Sequence, residues 1–287
     1  MFEKKISSIG VNMDITEIIS DAFVFPSKNI KTLLIYIILS IIVSALSIIG
    51  TIVYVFGFIS PECFLWGGLA VIVSMLIGWV MSGYLISVVK SGIELDDKVP
   101  EFKWWDNFIT GFDNFIVSIV YFIIPAFIVV VTGYITNIYG NIITVVQETV
   151  SQLLNFFMGT STTIAFDAIS QAMANLIISL TVTVAVAIIL FIIFSFLQTM
   201  AEARLANTGS LSEALNIFEA AKDITRIGVG KVILLILLII IIVGIIEAIL
   251  SFIFSFVPIL SIISVFISPY LIFFAQRAVG LLYSDIA

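Results

Sequence analysis

Three carboxylic acids are the strongest candidates for chemistry in this sequence: Glu247, Glu148 and Asp167. Glu247 is the one acid that we place well inside an apolar run, roughly 24 Å along a helix from Lys231 at the usual rise per residue. A carboxylate at this depth can bind a proton or a cation, and two carboxylates together can perform acid–base catalysis. The alternative, which the sequence favours, is that Glu247 has a structural role and reaches water at the outer surface.

The remaining composition excludes most other reactive sites. The chain has no histidine, and its only cysteine is Cys63. Imidazole bases, disulfides within the chain and metal sites built from histidine or several cysteines are therefore excluded. No glycine-rich phosphate loop and no basic nucleic-acid patch occurs. The sequence thus identifies no catalytic residue, no cofactor, no metal and no nucleic-acid partner, and Cys63 is expected to be a small packing residue.

The overall composition is that of a protein embedded in lipid. Hydrophobic residues make up 61% of the 287 residues and charged residues 11%. A soluble domain has roughly 45–50% apolar and about 25% charged residues. We therefore predict an all-α, polytopic integral membrane protein whose main partner is the lipid bilayer.

Long apolar runs define the elements that must position the three acids. A helix needs about 20 apolar residues to span the hydrocarbon layer. Residues 1–31 are predicted to form an N-terminal arm with an interfacial helix, and residues 32–287 a six-helix membrane domain. The six spans are predicted at residues 32–57, 63–89, 114–136, 173–200, 231–256 and 259–277.

The basic residues give these spans an orientation. All twelve lysines and arginines fall in the N-terminal arm, in the loops after the second and fourth spans, or in the C-terminal tail. The opposite side carries Glu62, Glu148 and Asp167 and no basic residue. Because basic loops stay in the cytoplasm, we predict a multi-pass protein of the cell membrane with both termini cytoplasmic.

Short amphipathic segments precede the odd-numbered spans. The segment "DITEIISDAF" begins with a capping-box pair, Asp14 and Glu17, and residues 210–227 begin with another, Ser210 and Glu213. Residues 210–227 are predicted to be a cytoplasmic interfacial helix, and "WWDNFITGF" before the third span has a similar apolar face. The pattern predicts three repeats of an interfacial helix plus a helical hairpin. The alternative is that inside-facing hairpins converge on the same caps.

Each even-numbered span ends in a cation followed by a glycine, in the segments "KSG", "ARLANTG" and "RAVG". A cation interacts favourably with the C-terminal end of the helix dipole. We expect Gly92, Gly209 and Gly280 to cap these helices, because glycine readily adopts the left-handed conformation that ends a helix.

Two further segments stand out between the spans. Residues 138–158 are strongly amphipathic and lack cations, so we predict a helix that lies on the outer face as a cap or an entrance. Residues 90–108 combine three lysines with five acids. We interpret them as a solvated turn at the membrane rim; the alternative is a site for a cation or a partner protein.

Five motifs cover much of the chain: "ISDAFVFP", "VPEFKWWDNFITGF", "YFIIP", "RIGVGK" and "PYLIFFAQRAVGLLY". Together they resemble an archaeal and bacterial family of integral membrane proteins known only as domain of unknown function 4013. The resemblance implies a helical membrane protein, and it carries no activity, cofactor or catalytic residue. Where the family pattern has an acidic pair before tryptophan, this chain has Lys103 before Trp104.

The sequence leaves two classes of function open. The favoured class is a non-enzymatic membrane protein, either a transport-like bundle or an envelope or lipid-associated scaffold, because nearly all of the chain is predicted to lie in the membrane. The alternative is an intramembrane lipid-modifying enzyme that uses the outer-face carboxylates. In that case Glu247 would act together with Asp167 or Glu148.

Overall fold

The fold consists of helices and the turns between them. A computed structural model describes residues 13–160 and 166–287, and no strand occurs within these ranges. Six helical stretches are long and apolar enough to cross a membrane. The chain is therefore an all-α, polytopic integral membrane protein, as its composition predicts. The first part of the predicted arm, residues 1–12, lies outside the described residues.

The described helices are named α1 to α10 in chain order. They are α1 (Ile15–Val24), α2 (Ile30–Phe56), α3 (Glu62–Ile93), α4 (Trp104–Ile135), α5 (Ile138–Phe157), α6 (Phe166–Thr208), α7 (Leu211–Ala214), α8 (Ile217–Ile227), α9 (Val229–Phe256) and α10 (Ser264–Tyr283). Two 3-10 turns, Phe25–Asn29 and Pro258–Ile263, precede α2 and α10. The bounds of α2, α5 and α9 agree with the prediction to within one turn.

Several helices are longer than the spans predicted for them. The predicted start of the third span at 114 is too late, because α4 already begins at Trp104. The predicted fourth span, 173–200, is too short for α6, which runs over Phe166–Thr208. Hydropathy marks only the apolar part of a helix. The last two turns of α6, "AEARLANT", are polar but rich in helix-forming residues, so the helix continues through them.

The amphipathic helices α1 and α8 are separated from the spans that follow them. The capping box predicted for α1 is present, and the backbone N–H of Asp14 donates to Glu17 at 3.4 Å. Pro26 lies in the 3-10 turn after α1, and Gly228 between α8 and α9 has a φ of +109°, which favours glycine. The segment "WWDNFITGF" has no such break and forms the first turns of α4. The threefold repeat therefore stays a prediction from the sequence pattern.

The predicted single helix 210–227 is in fact two helices, α7 and α8. The capping box predicted at its start is wrong, because the side chain of Ser210 makes no capping hydrogen bond. The carboxylate of Glu213 instead accepts a hydrogen bond from Arg204 at 2.7 Å. Asn216 divides the segment and caps α8 by accepting a hydrogen bond from the backbone N–H of Glu219 at 3.2 Å.

The chain forms two compact units. The first comprises Met1–Ser118 and Leu197–Ala287, and the second comprises Ile119–Phe196. The first unit therefore contains α1 to α3, α7 to α10, the N-terminal half of α4 and the last turns of α6. The second contains α5 and the remaining parts of α4 and α6.

Aromatic side chains form much of the core of the first unit. Phe25, Tyr36, Tyr84 and Phe273 are buried there, and each belongs to a different segment. The hydroxyl of Tyr84 donates to the backbone carbonyl of Pro100 at 3.2 Å. This hydrogen bond holds the loop after α3 against the core and so positions the acidic segment that the sequence interprets as a solvated turn.

Glycines let α3 approach two neighbouring helices closely. A Cβ added at Gly83 of α3 would lie 1.8 Å from the backbone oxygen of Asn107 in α4. Similarly, a Cβ at Gly280 of α10 would lie 2.9 Å from the Cα of Gly92 in α3. Gly92 and Gly280 lie inside their helices, so their predicted role as caps is wrong. Both positions need glycine because the backbones of α3 and α10 pack closely there. Gly209 does end α6, with a φ of +65°.

Polar side chains join the helices of the second unit. The side-chain amide of Asn141 in α5 donates to Ser179 of α6 at 2.5 Å. The hydroxyl groups of Thr136 and Thr183 lie 3.0 Å apart, and Ser179 donates to the carbonyl of Thr136 at 2.9 Å. These contacts attach the polar face of α5 to the start of α6. The predicted position of α5 on the outer face stays a prediction.

Candidate functional site

Arg277, near the end of α10, is a buried cation that joins several segments. Only 1% of the residue is exposed. Its Nε donates to Asp21 of α1 at 2.9 Å, and its Nη1 donates to Ser91 of α3 at 3.3 Å. Nη1 also donates to the backbone carbonyl of Asp96 at 2.7 Å, and the guanidinium lies 4.4 Å from the ring centre of Phe25. A charge can be buried only when its hydrogen bonds are satisfied, so this set of partners fixes the loop after α3 to α10.

The same loop is held from a second direction by Lys28. The ammonium group of Lys28 donates to Asp97 at 3.0 Å. This hydrogen bond and the positive charge of Lys28 lower the pKa of the Asp97 carboxyl. The loop is therefore tied to the protein through the backbone carbonyl of Asp96 and the carboxylate of Asp97.

A second buried charge cluster joins α6, α7, α8 and α10. Arg204 of α6 donates to Asp223 and to Glu213, each at 2.7 Å. Asp223 is only 1% exposed, and it also accepts hydrogen bonds from Tyr283 at 2.8 Å and from Arg226 at 2.9 Å. The planar guanidinium suits this role because it can serve two carboxylates at once with fixed geometry.

A third contact joins the start of α9 to the residues after α10. Lys231 forms an ion pair with Asp285, which also accepts a hydrogen bond from the backbone N–H of Met13 at 3.3 Å. The three clusters around Arg277, Arg204 and Lys231 bring together the ends of α3, α6 and α10, the start of α9, helix α8 and the segment from Met13 to Phe25. We call this part of the first unit the basic end.

A chamber of about 860 Å³ opens at the basic end. Its volume is in the range of small-molecule sites, roughly 300–1,000 Å³. Its walls are formed by the end of α3, the loop after α3, the turn before α2, the first turns of α4 and the end of α6. Its lining contains four lysines, five acids and a set of hydroxyl and amide groups: Lys28, Lys90, Lys98, Lys103, Glu94, Asp96, Asp97, Glu101, Asp106, Asn29, Ser87, Ser91, Asn107 and Thr110.

Asn107 of α4 borders this chamber with an unused hydrogen-bond donor. The residue is 2% exposed, and its side-chain oxygen accepts a hydrogen bond from Ser87 at 3.4 Å. Its Nδ2 has no hydrogen-bond partner among the described residues. Leaving a buried donor without a partner costs about 1–3 kcal/mol. The chamber wall thus contains a polar group that a bound molecule could satisfy.

Glu202 of α6 lies beside the chamber in a group that we call the Glu202 cluster: Glu202, Gln198, Asn114, Ser118 and Ser82. The carboxylate of Glu202 accepts a hydrogen bond from Gln198 at 3.1 Å and another from Asn114. The amide of Gln198 also donates to Ser118, and that of Asn114 donates to Ser82, each at 2.9 Å. Across residues 13–160 and 166–287, no lysine or arginine pairs with Glu202.

The three acids singled out in the sequence lie in different units. Glu247 is exposed on α9 in the first unit, and no hydrogen bond or ion pair joins it to another described residue. Glu148 is half-buried on α5, and Asp167 is exposed in the first turn of α6, where a negative charge suits the helix dipole. Glu148 and Asp167 both belong to the second unit. A joint site of these acids stays a prediction.

Glu202 and Asn107 are not among the candidate residues that the sequence indicates. Glu202 follows the predicted end of the fourth span at 200 and falls in the predicted loop. The spacing of polar residues along the two helices could have indicated both positions. Gln198 and Glu202 are four residues apart on α6, and Asn107 and Asn114 are seven apart on α4, so each pair shares one helix face. Polar residues that continue a helical period beyond an apolar run indicate that the helix continues.

Comparison with known proteins identifies a family. A family model described as "Protein of unknown function (DUF4013)" matches residues 66–255 of the chain. No curated protein and no solved structure matches it. The matched region includes the motifs "VPEFKWWDNFITGF", "YFIIP" and "RIGVGK", and it contains Asn107 and Glu202. The two motifs near the ends of the chain, and with them Arg277, lie outside it.

Proposed function

The chain belongs to the DUF4013 family of proteins of unknown function, and on this premise we propose that it is a non-enzymatic, transport-like bundle that binds a small polar molecule in the chamber. The observation that carries this proposal is the buried amide of Asn107, which has an unpartnered donor at the wall of a chamber of about 860 Å³. A native structure satisfies nearly all of its buried polar groups. A bound molecule that accepts a hydrogen bond from Asn107 would satisfy this one.

The charges of the chamber wall indicate the class of molecule. Lys98 and Lys103 lie among the lining residues together with Glu101 and Asp106, so both signs of charge border the same space. A ligand with a single charge would meet repulsion from part of this wall. The wall suits a small zwitterion, which is the chemistry of an amino-acid-like solute and also of some lipid headgroups.

The proposed orientation places the chamber at the cytoplasmic surface of the cell membrane. The basic end gathers Lys28, Lys231, Arg204 and Arg277 in one part of the first unit. Basic segments next to membrane spans remain in the cytoplasm. A solute would therefore enter the chamber from the cytoplasm, and a lipid headgroup would enter from the inner leaflet.

Native mass spectrometry of the full chain, purified gently from membranes, tests this proposal. We expect a population of the wild-type protein to carry a bound mass, and the size of that mass distinguishes a solute from a lipid. The variant Asn107→Leu should lose the bound mass because it removes the amide while keeping a similar volume. When both proteins are free of the bound molecule, the thermal stability of Asn107→Leu should be equal to or higher than that of the wild type, because a buried donor without a partner is removed.

The matched control is Asn155→Leu, the same substitution at an exposed position of α5 in the second unit. This variant should retain the bound mass. A wild-type protein without any bound mass, or an Asn107→Leu variant that retains it fully, would contradict the proposal.

A further inference from the structure

The Glu202 cluster continues directly from the chamber wall. Ala206 lines the chamber, and Glu202 lies four residues before it on the same face of α6. On α4, Asn107 lines the chamber, and Asn114 follows after seven residues on the same face. Hydrogen-bonding side chains therefore extend from the chamber along α4 and α6 for at least two helical turns.

The cluster contains more hydrogen-bond acceptors than donors. Asn114 is only 9% exposed, and its Oδ1 has no hydrogen-bond partner among the described residues. Its Nδ2 donates to Ser82, and the hydroxyl of Ser118 donates to the backbone carbonyl of Asn114 at 3.0 Å. The carboxylate of Glu202 adds further acceptors to the same group.

Among the residues that the structure describes, no charged side chain compensates Glu202. The groups that face it are Gln198 on its own helix and Asn114 on α4, and both are neutral amides. The hydroxyls that complete the cluster, Ser82 of α3 and Ser118 of α4, are also neutral. The nearest arginine along α6, Arg204, is already paired with Asp223 and Glu213. An ionised carboxylate with only neutral partners is costly in partly buried surroundings.

A single proton resolves both deficits. A neutral carboxyl group carries no charge and has one O–H donor, so protonation removes the uncompensated charge and adds a donor to a group that is rich in acceptors. We propose that Glu202 is a protonation site of the folded protein, which holds a proton at neutral pH and is linked to the occupancy of the adjoining chamber. The linkage rests on the proposed function, because the protonation of Glu202 can depend on the occupancy of the chamber only if a ligand binds there.

The test is infrared spectroscopy of the purified full chain in detergent, recorded without added ligand. Ordinary glutamates titrate near pH 4.3, so a protonated carboxyl band between about pH 6 and about pH 8 has to come from an unusual site. We expect such a band in the wild type and its complete loss in Glu202→Gln. The variant Glu247→Gln removes an acid from another span and should leave the band unchanged.

A wild-type spectrum without a protonated carboxyl band in this pH range overturns the proposal. Glu202 would then be ionised, either without a counterion or with a bound sodium ion. A band that persists in Glu202→Gln, or that disappears in Glu247→Gln, also overturns it. Because these spectra need no ligand, they succeed or fail independently of the mass measurement that tests the chamber.

Discussion

Arg277 of α10 donates a hydrogen bond to Asp21 of α1 at 2.9 Å, although 256 positions separate the two residues in the chain. The contact closes the N-terminal segment onto the C-terminal helix. Because Arg277 also holds the backbone carbonyl of Asp96, the same side chain positions the loop that borders the chamber. The shape of the chamber therefore depends on this buried cation.

Replacing Asp21 should destabilise the protein strongly. The variant Asp21→Ala removes the carboxylate that accepts the hydrogen bond from Nε of Arg277, a residue that is 1% exposed. Only the carboxylate of Asp97 then remains, 4.0 Å from Nη2. Losing a hydrogen bond to a charged group in this way costs roughly 1.5–3 kcal/mol. Reversible unfolding in mixed micelles measures the loss. The control is Lys28→Met, which removes an exposed ion pair and should therefore cost much less. Equal effects of the two variants would disprove the role given to Arg277.

Two glycines of α3 should respond differently to the same substitution. A Cβ at Gly83 would lie 1.8 Å from the backbone oxygen of Asn107, whereas a Cβ at Gly78 meets nothing within 4 Å. Gly83→Ala should lower the free energy of unfolding by about 1–3 kcal/mol, because α3 and α4 have to separate. Gly78→Ala should raise it by up to about 1 kcal/mol through helix propensity. A neutral Gly83→Ala variant would refute the close crossing of these helices.

The ion pair between Lys28 and Asp97 should give a stability that depends on acid pH. The hydrogen bond from Lys28 lowers the pKa of Asp97 below its ordinary value of 3.8. A carboxyl with a lowered folded-state pKa stabilises the protein above the unfolded-state pKa, and this stabilisation is lost as the pH falls through the folded-state pKa. The difference in melting temperature between wild type and Lys28→Met should therefore be full at neutral pH, begin to shrink as the pH falls below about 3.8, and disappear below the lowered folded-state pKa of Asp97. A difference that stays constant across this range would exclude the linkage.

The orientation can be tested with single cysteines in a Cys63→Ser background. Glu101→Cys, in the loop after α3, should resist an impermeant thiol reagent in intact cells, because the basic end is proposed to face the cytoplasm. Gln147→Cys on α5 should react. Both positions are exposed, so a difference in labelling reports the side of the membrane. Labelling of Glu101→Cys in intact cells would reverse the proposed orientation.

The number of spans was predictable because hydropathy depends on local composition. Apolar runs identified all six spans, and the amphipathic period identified α5 to within one residue of its end. Proline at Pro26 and glycine at Gly228 also marked real breaks, because both residues act on the local backbone. These features require no knowledge of which helices are neighbours.

The partners of the buried charges were not predictable from the same patterns. The sequence assigned Arg277 and Arg204 to one side of the membrane by counting charges. Their carboxylate partners, Asp21 and Asp223, are fixed by packing between helices that are distant in the chain. The role of Gly92 was not predictable for the same reason. This position needs a small residue because the backbone of Gly280 lies against it where α3 and α10 cross. Local sequence does not contain these contacts.

The most direct test of the central claim is to block the chamber and measure the bound mass. Ser87→Cys, at the chamber wall, is modified with a maleimide in a Cys63→Ser background, and native mass spectrometry then records occupancy. The control is Gln147→Cys on α5, modified with the same reagent. If the chamber holds the ligand, modification at Ser87→Cys removes the bound mass and modification at Gln147→Cys leaves it unchanged. Full occupancy after complete modification of Ser87→Cys would contradict the account.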